Sequence, residues 1–567
     1  MNKRYLLKAL FFVLCFLFFM QRSSPADVLK TPAEETRYTQ YSQNEEIARF
    51  LSALDFLSPE VTVQVIGKTK DVRDFPSQDL FLVIINEEGA GSPEDLNRQK
   101  PTILLTAAQH GNEQSAKEAA LGLARDLAVG VLKPLLKKAN FLIVPQANPF
   151  GNWFDQRQNE QDLDLNRDHV KLESQEVRAV HRVFREWMPE VTMDVHEKGD
   201  DYYRVSIGCV SNANIHPLLQ EFSRKTILAE VEKNLEKKRV TFHEYLVSEE
   251  MGVDTSAGVS YRTDELAGRE EMKRYSTTDL NDGRNSLGIY ETLSFIQEGA
   301  SRHDLKTLEQ RTAWQYLGLR FFIESVAAHG EEIVTMVKNL RARLLEESGV
   351  YSEDDLVHLR MQYVRDKNDP TLTIKAFDRA DVPVLGVLKV DKKAGEAVAE
   401  SELEPYPYPA KYKVLTETVK NWFPDVAPTL SVSRPLGYVI PAGHQNVIAV
   451  LLAHGLRVDI FTADKTFDVE AYTARQVVPS KYDYLPPEKI EVEKRSLGLV
   501  AKKGDYYVSC SQAGSNLIAC LLEPQSQYGL IRYWTFKVVP EEGDLYAFYR
   551  LTTSIELPLI PYRGWKR

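Results

Sequence analysis

The sequence predicts an α/β protein built as three layers, a mixed and mostly parallel sheet flanked by helices, with a β-rich region after it. Three observations predict this. Over the first part of the chain, short runs of β-forming residues alternate with stretches of helical period, the pattern of strands joined by crossover helices. After about Tyr351 the chain favours short β-type runs instead. Its 567 residues, 43% hydrophobic and 27% charged, have an ordinary globular composition with length for two to four domains.

The elements follow in order. Lys3, Arg4 and Lys8 precede an apolar run, 9–20, and a short polar tail ending at Ala26. That reads as a secretory signal peptide, residues 1–26, so the protein is expected to be exported, periplasmic or secreted. The run is short of the roughly 20 residues a membrane span needs. No stable span is therefore expected once the leader is cut; an uncleaved anchor is the competing reading, because the cleavage site is not a clean A-x-A. Ile47, Phe50, Leu51, Leu54 and Leu57 repeat at helical spacing. Strands are predicted at 61–66, 81–86, 102–108, 141–145, 191–196, 203–210 and 287–295. Helices are predicted at 113–127, from a Ser174 cap to 187, over 216–238, and as a long or paired helix over 305–345. Beyond that lie β-type runs at 371–377, 447–452, 506–510, 516–522 and 547–551, with a Pro- and Tyr-rich linker at 404–412. The expected division is a catalytic domain over 27–349 and a β-rich region over 350–567, split near 405–412.

Charge and cysteine content exclude some functions. The net charge is -11 and no basic stripe occurs, so no nucleic-acid partner is expected. Cys15 falls in the leader, leaving Cys209, Cys510 and Cys520. Cys510 and Cys520 either pair across a hairpin or stay as buried thiols. With no CxxC, a cysteine-based zinc or redox site is not expected.

The chemistry-bearing residues cluster at predicted strand ends. The strand at 102–108 runs into Gln109-His110-Gly111-Asn112-Glu113, where a three-residue spacing lets an imidazole and a carboxylate converge. The strand at 191–196 carries Asp194-Val195-His196-Glu197. In open α/β sheets ligands bind beyond the carboxyl ends of strands. Two His and one carboxylate form a catalytic zinc set that leaves a position for water. Between them, Arg157, Asn166 and Arg167 offer two guanidinium forks and an amide, suited to a carboxylate or an oxyanion. Glu291 sits among β-formers, where an unpaired buried carboxylate is costly. It is therefore either exposed or functional, and Glu298 and Glu197 are rivals for the same role.

These residues resemble the zinc metallocarboxypeptidases of the carboxypeptidase A-like, M14 type. The likeness rests on HGNE (His110, Glu113), NPFG (148–151), Arg157 ahead of DLNRD (Asp164, Asn166, Arg167), DVHE (His196) and YETLSF (Glu291), each occurring once and in the family's order over roughly 36–330. RPLGY at 434–438 and LEPQS at 522–526 resemble the C-terminal part of larger bacterial members. The resemblance implies one Zn²⁺ per chain, held by His110, Glu113 and His196, with Asp164 fixing the tautomer of His110. It implies a peptide substrate whose free C-terminal carboxylate is held by Asn166 and Arg167. Arg157 would stabilise the oxyanion, and Glu291 would take a proton from the attacking water and deliver it to the leaving amine.

The family's lid tyrosine has no clear counterpart; Tyr261, Tyr275 and Tyr290 are the candidates. Arg262, Arg274 and Arg284 are read as solvent-facing rather than as a pocket for an acidic side chain. The leading expectation is an exported zinc exopeptidase that hydrolyses the C-terminal peptide bond. A zinc amidase or deacylase acting on cell-wall peptides or N-acyl amino acids is the second reading, and a non-catalytic binding protein the third.

Overall fold

The computed structural model describes residues 29–73, 75–198, 204–250, 271–275, 277–300, 305–365, 371–377, 414–419 and 422–562. The leader, the 404–412 linker, Tyr261 and Arg262 lie outside them. Among the described residues no helix is long and apolar enough to cross a membrane.

The first part forms an eight-stranded sheet. Its strands are β1 (Val61–Lys68), β2 (Asp79–Ile85), β3 (Thr102–Ala107), β4 (Asn140–Val144), β5 (Val191–Lys198), β6 (Val205–Cys209) and β7 (Phe242–Glu244). Then come β8 (Leu246–Glu250) and β9 (Glu271–Tyr275), which pair outside this sheet, and β10 (Leu293–Ala300). The sheet order is β1-β2-β4-β3-β5-β10-β6-β7. Four central strands, β4, β3, β5 and β10, run parallel. β1 and β2 pair antiparallel on one side, and β6 joins β10 antiparallel on the other. The central strands are buried on both faces, as continuous apolar runs such as TILLTA and NFLIV require.

Successive side chains of a strand point to opposite faces, so the sheet has two cores. Val83, Ile103, Leu105, Phe141 and Ile143 belong to one, with residues of the helices Gln114–Ala128 and Leu308–Ala328. Leu82, Ile84, Leu104 and Leu142 belong to the other, with Phe184 and Trp187 of the helix Gln175–Trp187. That second core continues without a break into the C-terminal region, through Ile440, Val447, Leu451, Leu517, Ile518 and Leu521. The C-terminal region therefore completes the layer that covers one face of the sheet. It carries a seven-stranded sheet of its own.

Several expected elements differ. Residues 447–452 and 516–522, expected as β-type runs, lie in the helices Gln445–Ala453 and Ser515–Leu522. A short run of almost wholly apolar residues has no period that separates strand from helix. The run expected as a strand at 287–295 is a short helix, Gly283–Gly288, then a turn, with β10 starting only at Leu293. The 305–345 stretch is two helices, Leu308–Ala328 and Gly330–Glu347. Cys209, Cys510 and Cys520 are all free, buried thiols.

Candidate active site

β3 ends at Ala107, and Ala108 takes a left-handed conformation (φ 58°) that turns the chain across the edge of the sheet into His110. The next position requires glycine: a Cβ on Gly111 would lie 2.0 Å from the carbonyl carbon of Gly151. The HGNE and NPFG loops thus meet backbone to backbone. Glu113 stands at the start of the helix Gln114–Ala128. His196 comes from the neighbouring strand, because Ala107 of β3 pairs with Val195 of β5.

This topology brings three side chains to one point. His110 Nδ1 is 2.7 Å from Glu113 Oε1, His196 Nδ1 is 2.8 Å from Glu113 Oε2, and the two Nδ1 atoms are 3.1 Å apart. All three residues are buried, and their ligating atoms lie within 4.8 Å of one another. The opposite ring nitrogens face carboxylates: His110 Nε2 is 3.0 Å from Asp164 Oδ1, and His196 Nε2 is 2.7 Å from Asp194 Oδ2. Those acceptors favour a proton on each Nε2, which turns both Nδ1 lone pairs towards each other and towards the Glu113 carboxylate. A metal ion would draw three such donors together at that distance, so the set fits the metal its chemistry suggests. Burial works against the Glu113 charge, but positive charge on the two imidazoles, as a metal ion's would be, outweighs it and holds its carboxyl well below the usual range. It is therefore a carboxylate at neutral pH, as a ligand must be.

Arg157 donates from Nε to Asp164 Oδ2 at 2.9 Å, while its Nη1 lies 3.1 Å from His110 Nδ1. Asn166 accepts from the Gly283 amide through Oδ1 at 2.8 Å, which aims its amide nitrogen at the site, 3.3 Å from His196 Nε2. Arg167 donates to the Asn166 carbonyl at 2.7 Å. All three line one cleft of about 340 Å³ with His110, Glu113, Tyr245, Ile296 and Glu298.

Glu291 is not brought to this point. Its carboxylate accepts from the His216 amide at 3.1 Å and from Asn516 Nδ2 at 3.2 Å, the latter in the C-terminal region. It sits two residues before β10, at the opposite end of the strand from the cleft. At about 3.3 Å per residue, the path from Glu291 to Glu298 is some 20 Å. Glu298 faces the site instead: it pairs in register with His196 and lines the cleft. Its carboxyl is raised, first by burial and with the Glu113 charge adding to it. Glu197 is tied to Arg311 at 2.7 Å and to the Ser115 amide at 2.9 Å. Expecting the proton carrier at Glu291 followed from placing the strand too early. A left-handed turn at Glu291 (φ 53°) separates the two elements.

Burial pushes the Glu291 carboxyl up to about 7, the hydrogen bonds from His216 and Asn516 pulling the other way. A raised acid favours the fold while protonated, so its contribution is fully present below the unfolded value near 4.5 and is lost as the pH rises through about 7. Between pH 5 and 8 the wild type should lose roughly 2.5 kcal/mol more stability than Glu291→Gln. Denaturant melts at both pH values measure this, and identical pH dependence would contradict it.

The lid-tyrosine candidates are also placed elsewhere. Tyr275 packs on Trp422 and Arg224, and Tyr290 donates to the His454 carbonyl at 3.1 Å inside the second core. Tyr245, which sequence reasoning missed, lines the cleft and hydrogen-bonds Glu298. Its only signal is its place one residue past β7. Arg274 and Arg284, expected in solvent, are 6% and 1% exposed. Arg274 stacks over Tyr363 at 4.6 Å, and Arg284 lies behind the cleft wall.

Comparison with known proteins gives the following. Residues 47–190 match the zinc carboxypeptidase family. Over 505 residues the chain is 23% identical to carboxypeptidase 2 of Trichophyton rubrum, covering 85% of this chain and 81% of that one. Carboxypeptidase 2 of Trichophyton tonsurans is likewise 23% identical over 507 residues, with coverage of 85% and 81%. Among solved structures, the chain is similar to a metallo-carboxypeptidase from Burkholderia cenocepacia, with 20% identity, 52% and 71% coverage and a TM-score of 0.37. It is also similar to one from Pseudomonas aeruginosa in complex with (2-guanidinoethylmercapto)succinic acid, with 18% identity, 52% and 71% coverage and a TM-score of 0.36.

Proposed function

From the match of residues 47–190 to the zinc carboxypeptidase family, we propose that the chain is a zinc-dependent exopeptidase releasing the C-terminal residue of peptides. The observation that carries this reading is the meeting of His110, Glu113, His196, Arg157, Asn166, Arg167 and Glu298 around one cleft. His110 Nδ1, Glu113 and His196 Nδ1 would hold the metal. Bound there, zinc supplies a Lewis acid that activates water and polarises a carbonyl.

The chain's own residues do the rest. Asn166 and Arg167 offer an amide and a guanidinium to the substrate's terminal carboxylate, a charge-assisted set that a C-terminal amide cannot use. Arg157 is anchored by Asp164 and leans over the site, with the charge and donors for the developing oxyanion. Glu298 takes the proton of the attacking water and hands it to the leaving amine. Its raised carboxyl suits both halves of that transfer. Asp164 and Asp194 hold the two imidazoles in the ligating tautomer. Export to the periplasm or the medium by way of the 1–26 leader belongs to the same reading.

Purified protein should carry close to one zinc per chain by elemental analysis. It should release free amino acid from a peptide acid, with the release abolished by a chelator and restored by zinc. The amidated peptide should be cleaved at least about a hundredfold more slowly. Equal rates on acid and amide would instead favour the amidase reading.

A further inference from the structure

A buried cation lies behind the residues that line the cleft. Arg284 is 1% exposed, and its Nη2 donates to the Thr277 carbonyl at 2.8 Å and to Asp282 Oδ2 at 3.0 Å. Its Nε and Nη1 are buried and have no hydrogen-bond partner among the described residues. Nη1 lies against Gly208, where a Cβ would come within 3.4 Å of it, 3.1 Å of Tyr245 Cβ and 3.5 Å of Ile296 Cγ2. Thr277, Asp282, Tyr245 and Ile296 all line the cleft. Ile296 and Glu298 stand two apart on β10 and so share a face. The wall therefore runs from the reacting centre at Glu298, past Ile296, to the place beside Gly208 where Arg284 Nη1 lies.

A buried guanidinium with idle donors is costly, and an arriving acceptor relieves that cost. The neighbouring acids are already committed. Asp282 gives one oxygen to Arg284 and the other to the Asn285 amide at 2.7 Å, and Glu244 is held by Arg224 at 2.7 Å. Resting on the carboxypeptidase reading, we propose that Arg284 closes the side-chain pocket and selects substrates ending in an acidic residue, glutamate or aspartate. The positive charge and the idle Nη1 donors suit a carboxylate oxygen, and the isosteric amide of glutamine brings no such charge.

The test uses the full zinc-loaded chain and four peptides identical except for a final Glu, Gln, Leu or Lys. The expected result is a kcat/KM for Glu at least about tenfold above that for Gln, with Leu and Lys below Glu. In Arg284→Met the Glu-to-Gln ratio should fall to about one. Should that variant fail to fold, competition by free glutamate against free glutamine on the wild type reads the same preference, with glutamate expected to be the stronger inhibitor. Gln or Leu released as fast as Glu, or glutamine inhibiting as well as glutamate, overturns the assignment of Arg284 while leaving the carboxypeptidase reading intact. Release of nothing from any of the four peptides overturns that reading itself, and this inference with it.

Discussion

Glu298→Gln should lower kcat by about a thousandfold, within the 10²–10⁴ range of a lost general base, while the zinc content stays at one per chain. Glu291→Gln should stay within a few-fold of wild type. The contrast separates two carboxylates that the sequence alone cannot rank. Glu298 pairs with His196 across adjacent parallel strands, so the sheet itself sets its distance from the ligands. Glu291 lies at the far end, sealed between the His216 amide and Asn516. Steady-state kinetics of the two variants, with metal analysis of each, decide the matter. Loss of activity in Glu291→Gln with Glu298→Gln intact would reverse the assignment.

Arg532→Met should cost about 3–5 kcal/mol of stability, because it leaves Asp279 charged and buried without its partner. Arg532 donates to Asp279 at 2.8 and 3.0 Å, and their side chains are 0% and 3% exposed. Asp279 also accepts from the Asn281 amide at 3.0 Å, and the neighbouring Thr278 hydroxyl meets Tyr528 at 3.1 Å. The stretch 277–282, whose ends Thr277 and Asp282 line the cleft, is thus pinned from behind by the C-terminal region. The variant should accordingly raise KM as well as lower the melting temperature. Replacing both partners, Arg532→Met with Asp279→Leu, should recover part of the stability, since an apolar pair leaves no orphaned charge. Equal loss in the single and the double variant would show that the ion pair is not what holds that stretch.

Much of the candidate metal site is legible in the sequence because its residues sit where strand signals end. TILLTA running into HGNE, and VTMDV running into HE, mark two carboxyl ends, and parallel pairing then makes those ends neighbours. Glu291 was misjudged because Leu287, Ile289, Leu293 and Phe295 form an alternating apolar run that reads as strand. The chain spends the first half of it on a helix and a turn, and neither carries its own period. The register from the other end distinguishes them: β10 must reach the same edge as His196, and there only Glu298 does. Tyr245 and Arg284 carried no such signal. Their positions depend on Gly208 leaving room on the adjacent strand, a tertiary fact. The C-terminal helices Gln445–Ala453 and Ser515–Leu522 read as β-type for a related reason, since their almost wholly apolar runs carry no amphipathic contrast.

The most direct test is a zinc-edge anomalous difference map from crystals grown with zinc. It should show a single strong peak about 2.0–2.2 Å from His110 Nδ1, His196 Nδ1 and a Glu113 oxygen, with the Glu298 carboxylate facing it. A peak bound by other residues, or no peak in that cleft with zinc present, would contradict the account.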